Sequence, residues 1–571
     1  FSKPDAILRP GDRVGDTAGL TGTPYSTSVF AMRDSWLMRL EPEEFNTLVL
    51  EQPPVVQLVA RQAVGRRPHR KQRHAAPPRA ATLAVVLGAH VPDGERLVQV
   101  LVQALDGCQP VTLLDAHTCQ EWGIVPDVGH RLRADLEWVR LDTWLDQQHQ
   151  QGRQVVLVAD THNRAWSEQV MRLADRALLV AEAQGPVGLS GAPLWPAQAP
   201  DPNVVPPAWA LQHWLCLVHP ADTPLPQGTR LWLDALHPQK HFHVRRDLRA
   251  DWGRLARHLS DQAIGLALSG GGARGPAHAG VYRALSQAGI PVDCVAGASA
   301  GALMACLLAQ GDDWRVCAER AIAGIGPAPG PFSDITLPLV SVSKTQRLER
   351  SVYSTYRDAQ LEDAWIPCLV ITTNLTRMCK TVLSVGSMAQ AALASISPPA
   401  VAKPQVVDGE LLCDGGLVEN LPVGVLLEQG CRYILASDIG SELNLRLAQT
   451  SFPNPWFMLF DRVFKKGRAT AGVPTVVEIL LAATTLASEG RRQAFNAQID
   501  LCITPDLRRF KATDFTRSWE LIEQGFADAT AQISAHKQCQ PSAPFWQTAP
   551  NRSPDTPADS SPPIPPSKPQ P

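Results

Sequence analysis

Residues 263–310, AIGLALSGGGARGPAHAGVYRALSQAGIPVDCVAGASAGALMACLLAQ, limit what this chain can fold into more than any other stretch. The apolar run Ile264 to Leu268 ends in Ser269 and three glycines. A segment of helical character follows from Ala277 to Ala288, and a second apolar run, Val292 to Ala296, meets Gly297-Ala298-Ser299-Ala300-Gly301. This order is strand, glycine loop, helix, strand, sharp turn, helix. A crossover of that length joins parallel strands and is right-handed, so both strands should end at the same sheet edge. The glycine loop and Ser299 are thereby expected to be neighbours.

Gly297 to Gly301 has the pattern G-x-S-x-G. Its small flanking residues Gly297 and Gly301 permit a strained strand-to-helix turn that exposes a serine hydroxyl at a helix N-terminus. Ser299 is therefore the candidate nucleophile. Gly270, Gly271 and Gly272 can turn backbone N–H groups toward a developing oxyanion, and Arg274 can hold the loop or add positive charge. Gly270 to Gly275 also matches G-x-G-x-x-G, the phosphate-binding loop of a dinucleotide site. That reading requires an acid at the end of the second strand, whereas Asp293 stands at its beginning. The serine reading is the better supported.

The base that would activate Ser299 is narrowed by counting. A hydrolase triad needs a histidine after the serine, and none occurs between Ser299 and His536, which lies in a polar run ahead of a proline-rich tail. His278, in the first turn of the helix after the glycine loop, reads as a locally satisfied residue. A carboxylate is the alternative. Asp414-Gly415-Gly416 follows the apolar Leu411-Leu412-Cys413, and desolvation beside a hydroxyl would raise the carboxyl pKa toward a useful base. Taken alone, the same tripeptide is an ordinary turn.

Gly270-Gly271-Gly272-Ala273-Arg274-Gly275, Gly297 to Gly301 and Asp414-Gly415-Gly416 resemble, in order, the three signatures of the patatin-like phospholipases. Ala394-Ser395-Ile396-Ser397-Pro398-Pro399 is similar to that family's segment before the aspartate. Trp365-Ile366-Pro367, Thr372-Thr373-Asn374-Leu375-Thr376 and Asp414 to Pro422 resemble the neuropathy target esterase branch. The resemblance implies a Ser-Asp dyad of Ser299 and Asp414, an oxyanion hole in the glycine loop, and hydrolysis of phospholipids or lysophospholipids. It also implies cyclic-nucleotide-binding-like domains upstream.

A length of 571 residues allows about three domains, and 44% apolar content fits globular cores. The expected class is α/β: a patatin-like three-layer catalytic domain at 263–538, preceded by a Rossmann-like α/β scaffold domain at 83–245 and a connecting helix at 246–262. Strands are expected at Leu83 to Leu87, Val111 to Leu114, Val155 to Val158, Ala177 to Val180 and Tyr433 to Ala436. The scaffold domain lacks G-x-x-x-x-G-K-[ST], so Asp160 has no phosphate loop to serve, and Asp115 and His117 lack partners. Residues 1–62 resemble part of a cyclic-nucleotide-binding barrel in which Asp16 replaces the usual glutamate and Tyr25 stands where an arginine belongs. Without that cation a buried phosphate loses its charge-assisted bonds, so weak or absent binding of cyclic nucleotide is expected. A basic, Pro-containing linker covers 63–82, including Arg66 to Arg73. The stretch 185–207 reads as an exposed loop, the Arg and His of Leu248 to Leu259 as surface residues, and the tail 539–571 as disordered.

The net charge of −2 gives no argument for nucleic acid. Twelve cysteines without a C-x-x-C fit reduced thiols on the cytoplasmic side, and no ligand cluster calls for a metal or other cofactor. The chain opens at Phe1, not at methionine, which leaves an upstream anchor open. No apolar run approaches the about 18 residues of a membrane span. Contact with a membrane is therefore expected to be peripheral, with Trp456 to Arg468, aromatic and basic, as the candidate segment; the same residues fit, slightly better, a helix packed on the core.

Overall fold

The computed structural model describes residues 82–125 apart from 89 and 90, 136–187 apart from 161, 211–325, 334–440 apart from 338, 495–546 apart from 542, and the isolated positions 39–41, 44, 47, 332 and 454. Apart from the isolated positions 39–41, 44 and 47, the barrel-like segment 1–62 falls outside them, as do the linker 63–81, the loop 188–207, Trp456 to Arg468 and the end of the tail. Contacts divide the chain into two units, one of 1–219, 231–241 and 553–571, the other of 220–230 and 242–552.

In the first unit, strands β1 (Thr82–Leu87), β2 (Val111–Leu114), β3 (Gln154–Val158), β4 (Arg176–Glu182) and β5 (Gln212–His219) alternate with helices α1 (Gly94–Asp106), α2 (Ala116–Glu121), α3 (Leu136–Gln150) and α4 (Arg164–Leu173); α5 (Thr229–Leu236) and β6 (Lys240–Arg245) follow, with 229–230 and 242–245 counted in the second unit. The sheet order is β2-β3-β1-β4-β5-β6, and the pairings among β1 to β5 are parallel. The four expected strands form with nearly the expected ends. The topology departs from a Rossmann fold, whose order is 3-2-1-4-5-6: here β3, not β2, lies beside β1. Alternation of strands and helices is common to both topologies, so the pattern could not separate them. β5 and β6 were not anticipated, since β5 follows a long proline-rich stretch and β6 is half polar. The core on one face gathers Trp138, Trp144, Trp166 and Trp232 with Leu and Val from β1, β3 and β4. Asp115 caps α2 by accepting from Thr118 N at 2.7 Å, and Asp160 closes the turn before α4 by accepting from His162 N at 2.8 Å.

The second unit carries α6 (Arg249–Leu259), β7 (Ile264–Leu268), α7 (Ala277–Gln287), β8 (Cys294–Ala298), α8 (Ala300–Ala309), α9 (Trp314–Ile325), α10 (Gln346–Tyr356), β9 (Cys368–Asn374), β10 (Cys379–Leu383), α11 (Met388–Ser395), β11 (Gln405–Val407), β12 (Glu410–Asp414), α12 (Val423–Glu428), β13 (Tyr433–Ser437), β14 (Leu501–Ile503) and α13 (Ser518–Cys539). They build a mixed sheet in the order β11-β12-β9-β8-β7-β13-β14, with β10 also on β9. Neighbours from β14 to β9 are parallel, while β10 and β12 run antiparallel to β9. β7 and β8 lie side by side as expected. Alternate residues feed two cores: Leu266, Val295, Val370 and Leu435 face α7, α8, α11 and α13, while Ala267, Ala296, Ile371 and Ala436 face α12. Helices thus cover both faces of the sheet.

Two expectations are corrected here. Arg254, Arg257 and His258 on α6 are buried, not on the surface. Arg257 grips Asp293 through Nε and Nη2 at 2.8 and 2.6 Å, and Asp293 also accepts from Ile264 N at 2.9 Å. The acid at the head of β8 is therefore a strand anchor, and helical spacing could not show that its partner was a cation. Nor is the start of the tail free, because Phe545 is buried against Tyr433 and His536. Losing one member of a buried pair strands a charge away from water, so Arg257→Ala should cost about 3 to 5 kcal/mol, read as a lowered urea midpoint with unchanged slope.

Candidate active site

The site forms where β8 ends. Ser299 occupies φ 51°, ψ −124°, a region that L-residues enter only under constraint, and a cost of about 1 to 3 kcal/mol attaches to it. The turn is possible because its flanks have no side chains. A Cβ on Gly297 would strike the backbone of Gly301, and one on Gly301 would strike the backbone of Leu268. The serine N–H donates to Ser395 Oγ at 2.9 Å, and that hydroxyl donates to Ile371 O at 2.6 Å, so one side chain ties the elbow to β9.

Asp414 ends β12, which lies end to end with β8 on one edge of β9: β8 pairs with Cys368 to Ile371 and β12 with Thr372 to Asn374, while β10 holds the other edge. Its backbone N–H donates to Ser397 O at 3.0 Å, and its carbonyl accepts from Thr373 Oγ1 at 2.8 Å. The carboxylate is buried, with one oxygen accepting from Gly416 N at 2.8 Å and the other from Ser299 Oγ at 2.8 Å. Burial pushes the Asp414 pKa up to about 6, against the opposing pull of those two hydrogen bonds. Ser299 itself is half-buried. A nucleophile elbow and a desolvated carboxylate therefore meet directly, with no imidazole between them.

The glycine loop lies alongside. A Cβ on Gly270 would come within 2.9 Å of the Ser299 Cβ. The three glycines differ in what they offer. Gly270 N donates to Asn420 O at 3.1 Å, so it is not free to face an anion. Among the described residues no acceptor takes the N–H of Gly271 or Gly272, and both residues are partly open to solvent. Gly272 sits at φ 59° with its α-carbon against Ala512 O, where a side chain has no room. Arg274 is buried and donates through Nε to Phe510 O at 3.0 Å, so of its two expected uses it serves the first and holds the loop.

His278 has both ring nitrogens engaged, Nε2 with Ser269 O at 2.9 Å and Nδ1 with Ser437 Oγ at 2.7 Å. Burial pushes its pKa down to about 4, so the ring is neutral and Nε2 carries the proton that the carbonyl needs. It is a local strut under the loop. Sequence reasoning missed Ser395, Asn420 and Ser397 as supports. The run Ala394 to Pro399 stood out, but nothing in it disclosed which hydroxyl would reach the elbow.

Residues 266–427 match the model of the patatin-like phospholipase family, and residues 82–264 that of the Neuropathy Target Esterase family P-loop like domain. The second match suits the β2-β3-β1-β4 order of the first unit, although Gly88 to Gly94 reads GAHVPDG, without the Lys-Ser/Thr of a phosphate loop. Neuropathy target esterase sws of Drosophila melanogaster is 30% identical over 79% of this chain and 34% of its own length. Patatin-like phospholipase domain-containing protein 7 of Mus musculus is 28% identical over 90% of this chain and 41% of its own, and protein 6 of Homo sapiens 27% over 90% and 40%. The chain spans well under half the length of these relatives. Ordered as it is, with a Neuropathy Target Esterase family P-loop like domain leading into a patatin domain, the chain belongs to the patatin-like phospholipases.

Proposed function

We propose that the chain hydrolyses carboxylic esters of phospholipids or lysophospholipids through an acyl-enzyme on Ser299. The observation that carries this reading is the 2.8 Å hydrogen bond from Ser299 Oγ to the buried Asp414 carboxylate. Asp414 takes the hydroxyl proton as Oγ attacks the ester carbonyl. The resulting oxyanion is received by the N–H groups of Gly271 and Gly272 and by the positive end of α8. As the C–O bond breaks, Asp414 returns the proton to the leaving alcohol. It then deprotonates a water that attacks the acyl carbonyl, and as the acyl C–Oγ bond breaks Asp414 returns that proton to Oγ, releasing the carboxylic acid and restoring the serine.

The buried carboxyl couples activity to stability. Its folded pKa lies above the unfolded value of 3.8, so the folded state holds the proton more tightly between those limits. Stability therefore falls as pH rises from about 4 to about 6 and then levels, with a loss of roughly 2 to 3 kcal/mol at neutral pH. Activity runs the opposite way, because only the ionised carboxylate can accept a proton.

Three outcomes follow from the mechanism. Ser299→Ala and Asp414→Asn should each lower kcat on a short-chain carboxylic ester about a thousandfold or more, with little change in KM. Asp414→Asn should melt no lower than the parent at neutral pH, since it keeps the bond to Gly416 and removes the buried charge; melting far below it would contradict the desolvated base. The pH profile of kcat/KM should fall about tenfold per unit below an apparent pKa near 6 and be flat from there to pH 8. An inflection near 7.5 would instead call for another base. Hydrolysis of glycerophospholipid esters by the parent but not by Ser299→Ala tests the substrate class.

A further inference from the structure

Soluble loops point apolar side chains inward and polar ones outward. The loop from Asp334 to Lys344, in the second unit, does the reverse. It folds back on itself through Thr336 N to Val342 O at 2.9 Å and Lys344 N to Asp334 O at 2.7 Å. Ser341 and Ser343 are buried on its inner side, where Ser343 Oγ donates to Asp334 Oδ1 at 2.6 Å and Ser341 Oγ to Ser343 O at 2.7 Å. Outside stand Ile335, Leu337, Leu339, Val340 and Val342, with 72, 73, 84, 69 and 46% of their surfaces exposed. Single exposed apolar residues need no explanation, but five within eight positions form a patch that water disfavours.

The surroundings of the patch indicate what covers it. Lys344, Arg347 and Arg350 are exposed beside it, and among the described residues none forms a salt bridge. The acids nearby are occupied: Asp334 accepts from Ser343 and from Arg347 N, and Glu349 pairs with Lys403 at 2.7 Å. An apolar strip flanked by uncommitted cations complements acyl chains topped by anionic headgroups. The loop is also wired to the site. Val342 N donates to Ala400 O at 2.8 Å and Ser343 N to Val401 O at 3.0 Å, on the same short segment whose Ser397 O holds the Asp414 backbone.

We propose that the 335–342 loop is the surface by which the catalytic unit docks onto an anionic lipid bilayer. Its apolar side chains enter the headgroup boundary while Lys344, Arg347 and Arg350 meet lipid phosphates, and the mouth of the Ser299 site is held at the membrane surface. The proposal rests on the reading of this site as a lipid esterase, but docking is measurable without hydrolysis.

The test is co-sedimentation of the full chain with vesicles of phosphatidylcholine, with and without phosphatidylserine, in a Ser299→Ala background. The parent should bind phosphatidylserine vesicles in a salt-sensitive manner, and Leu337→Ser/Leu339→Ser/Val340→Ser should lower that partition roughly tenfold or more. With Ser299 intact, the triple variant should keep its rate on a soluble ester, which also reports its fold, and lose rate on vesicles. Should it misfold, Lys344→Glu/Arg347→Glu/Arg350→Glu provides the same test, with loss of the phosphatidylserine preference expected. Vesicle binding unchanged in a folded variant, or absent in the parent, overturns the proposal. So does a parent that sediments as a dimer, a triple variant that is monomeric and equal vesicle binding by both, since the patch would then join two copies of the chain. Docking could fail in this way while soluble-ester hydrolysis persists, and hydrolysis could fail while docking persists.

Discussion

The register of three neighbouring strands decides whether the second unit has a site at all. Ala298 on β8 stands opposite Ile371 on β9, and Asp414 on β12 opposite Thr372 on the same strand. β9 is thus the ruler against which the serine and the carboxylate are placed, one from a parallel neighbour and one from an antiparallel neighbour. A slip of one residue on either side would reverse the facing of every side chain and separate the pair. Register is protected here by burial on both faces, since alternate residues of β8 and β9 belong to two different cores. It is also protected by hydroxyls that cross the strands: Ser395 spans the elbow and Ile371, and Thr373 holds the Asp414 carbonyl.

Around that ruler the polar groups divide into those consumed by structure and those left for chemistry. Asn420 takes the Gly270 N–H, Phe510 takes the Arg274 guanidinium, and Ser269 with Ser437 takes both nitrogens of His278. Each bond stiffens the loop at the expense of a group that could have met substrate. Among the described residues, what is left consists of one hydroxyl, one carboxylate and two backbone amides. A small set of this kind, with its supports already satisfied, loses little to reorganisation when charge moves.

The sequence carried the positions of the chemistry more clearly than their wiring. Glycines at 272, 297, 301 and 415 mark places where another backbone comes too close for a side chain, and those at 270, 271 and 416 where a neighbouring side chain does; the glycines themselves can be read in one dimension. The parallel pairing of β7 and β8 followed from the length of their crossover. The supports did not show, because they join residues brought together only by the fold, as with Ser299 and Ser395, 96 positions apart, or Arg274 and Phe510, 236 apart. The buried Arg257–Asp293 pair hid for the same reason: each charge, read alone, resembles a solvated one. In the first unit, strand spacing revealed the strands and their direction but left their order open, and so a P-loop-like sheet was read as a Rossmann-like one.

The distance along the chain between Ser299 and Asp414, 115 residues, has a consequence for how the molecule is born. A ribosome releases the elbow long before it releases β12, and the carboxylate reaches its place only when β12 pairs with β9. Long-range pairings of this kind form late, after the loop entropy of the intervening helices has been overcome. Until then Ser299 is a hydroxyl with no base. A partly made chain can therefore carry the elbow and the 335–342 loop while Ser299 still lacks its hydrogen bond to Asp414.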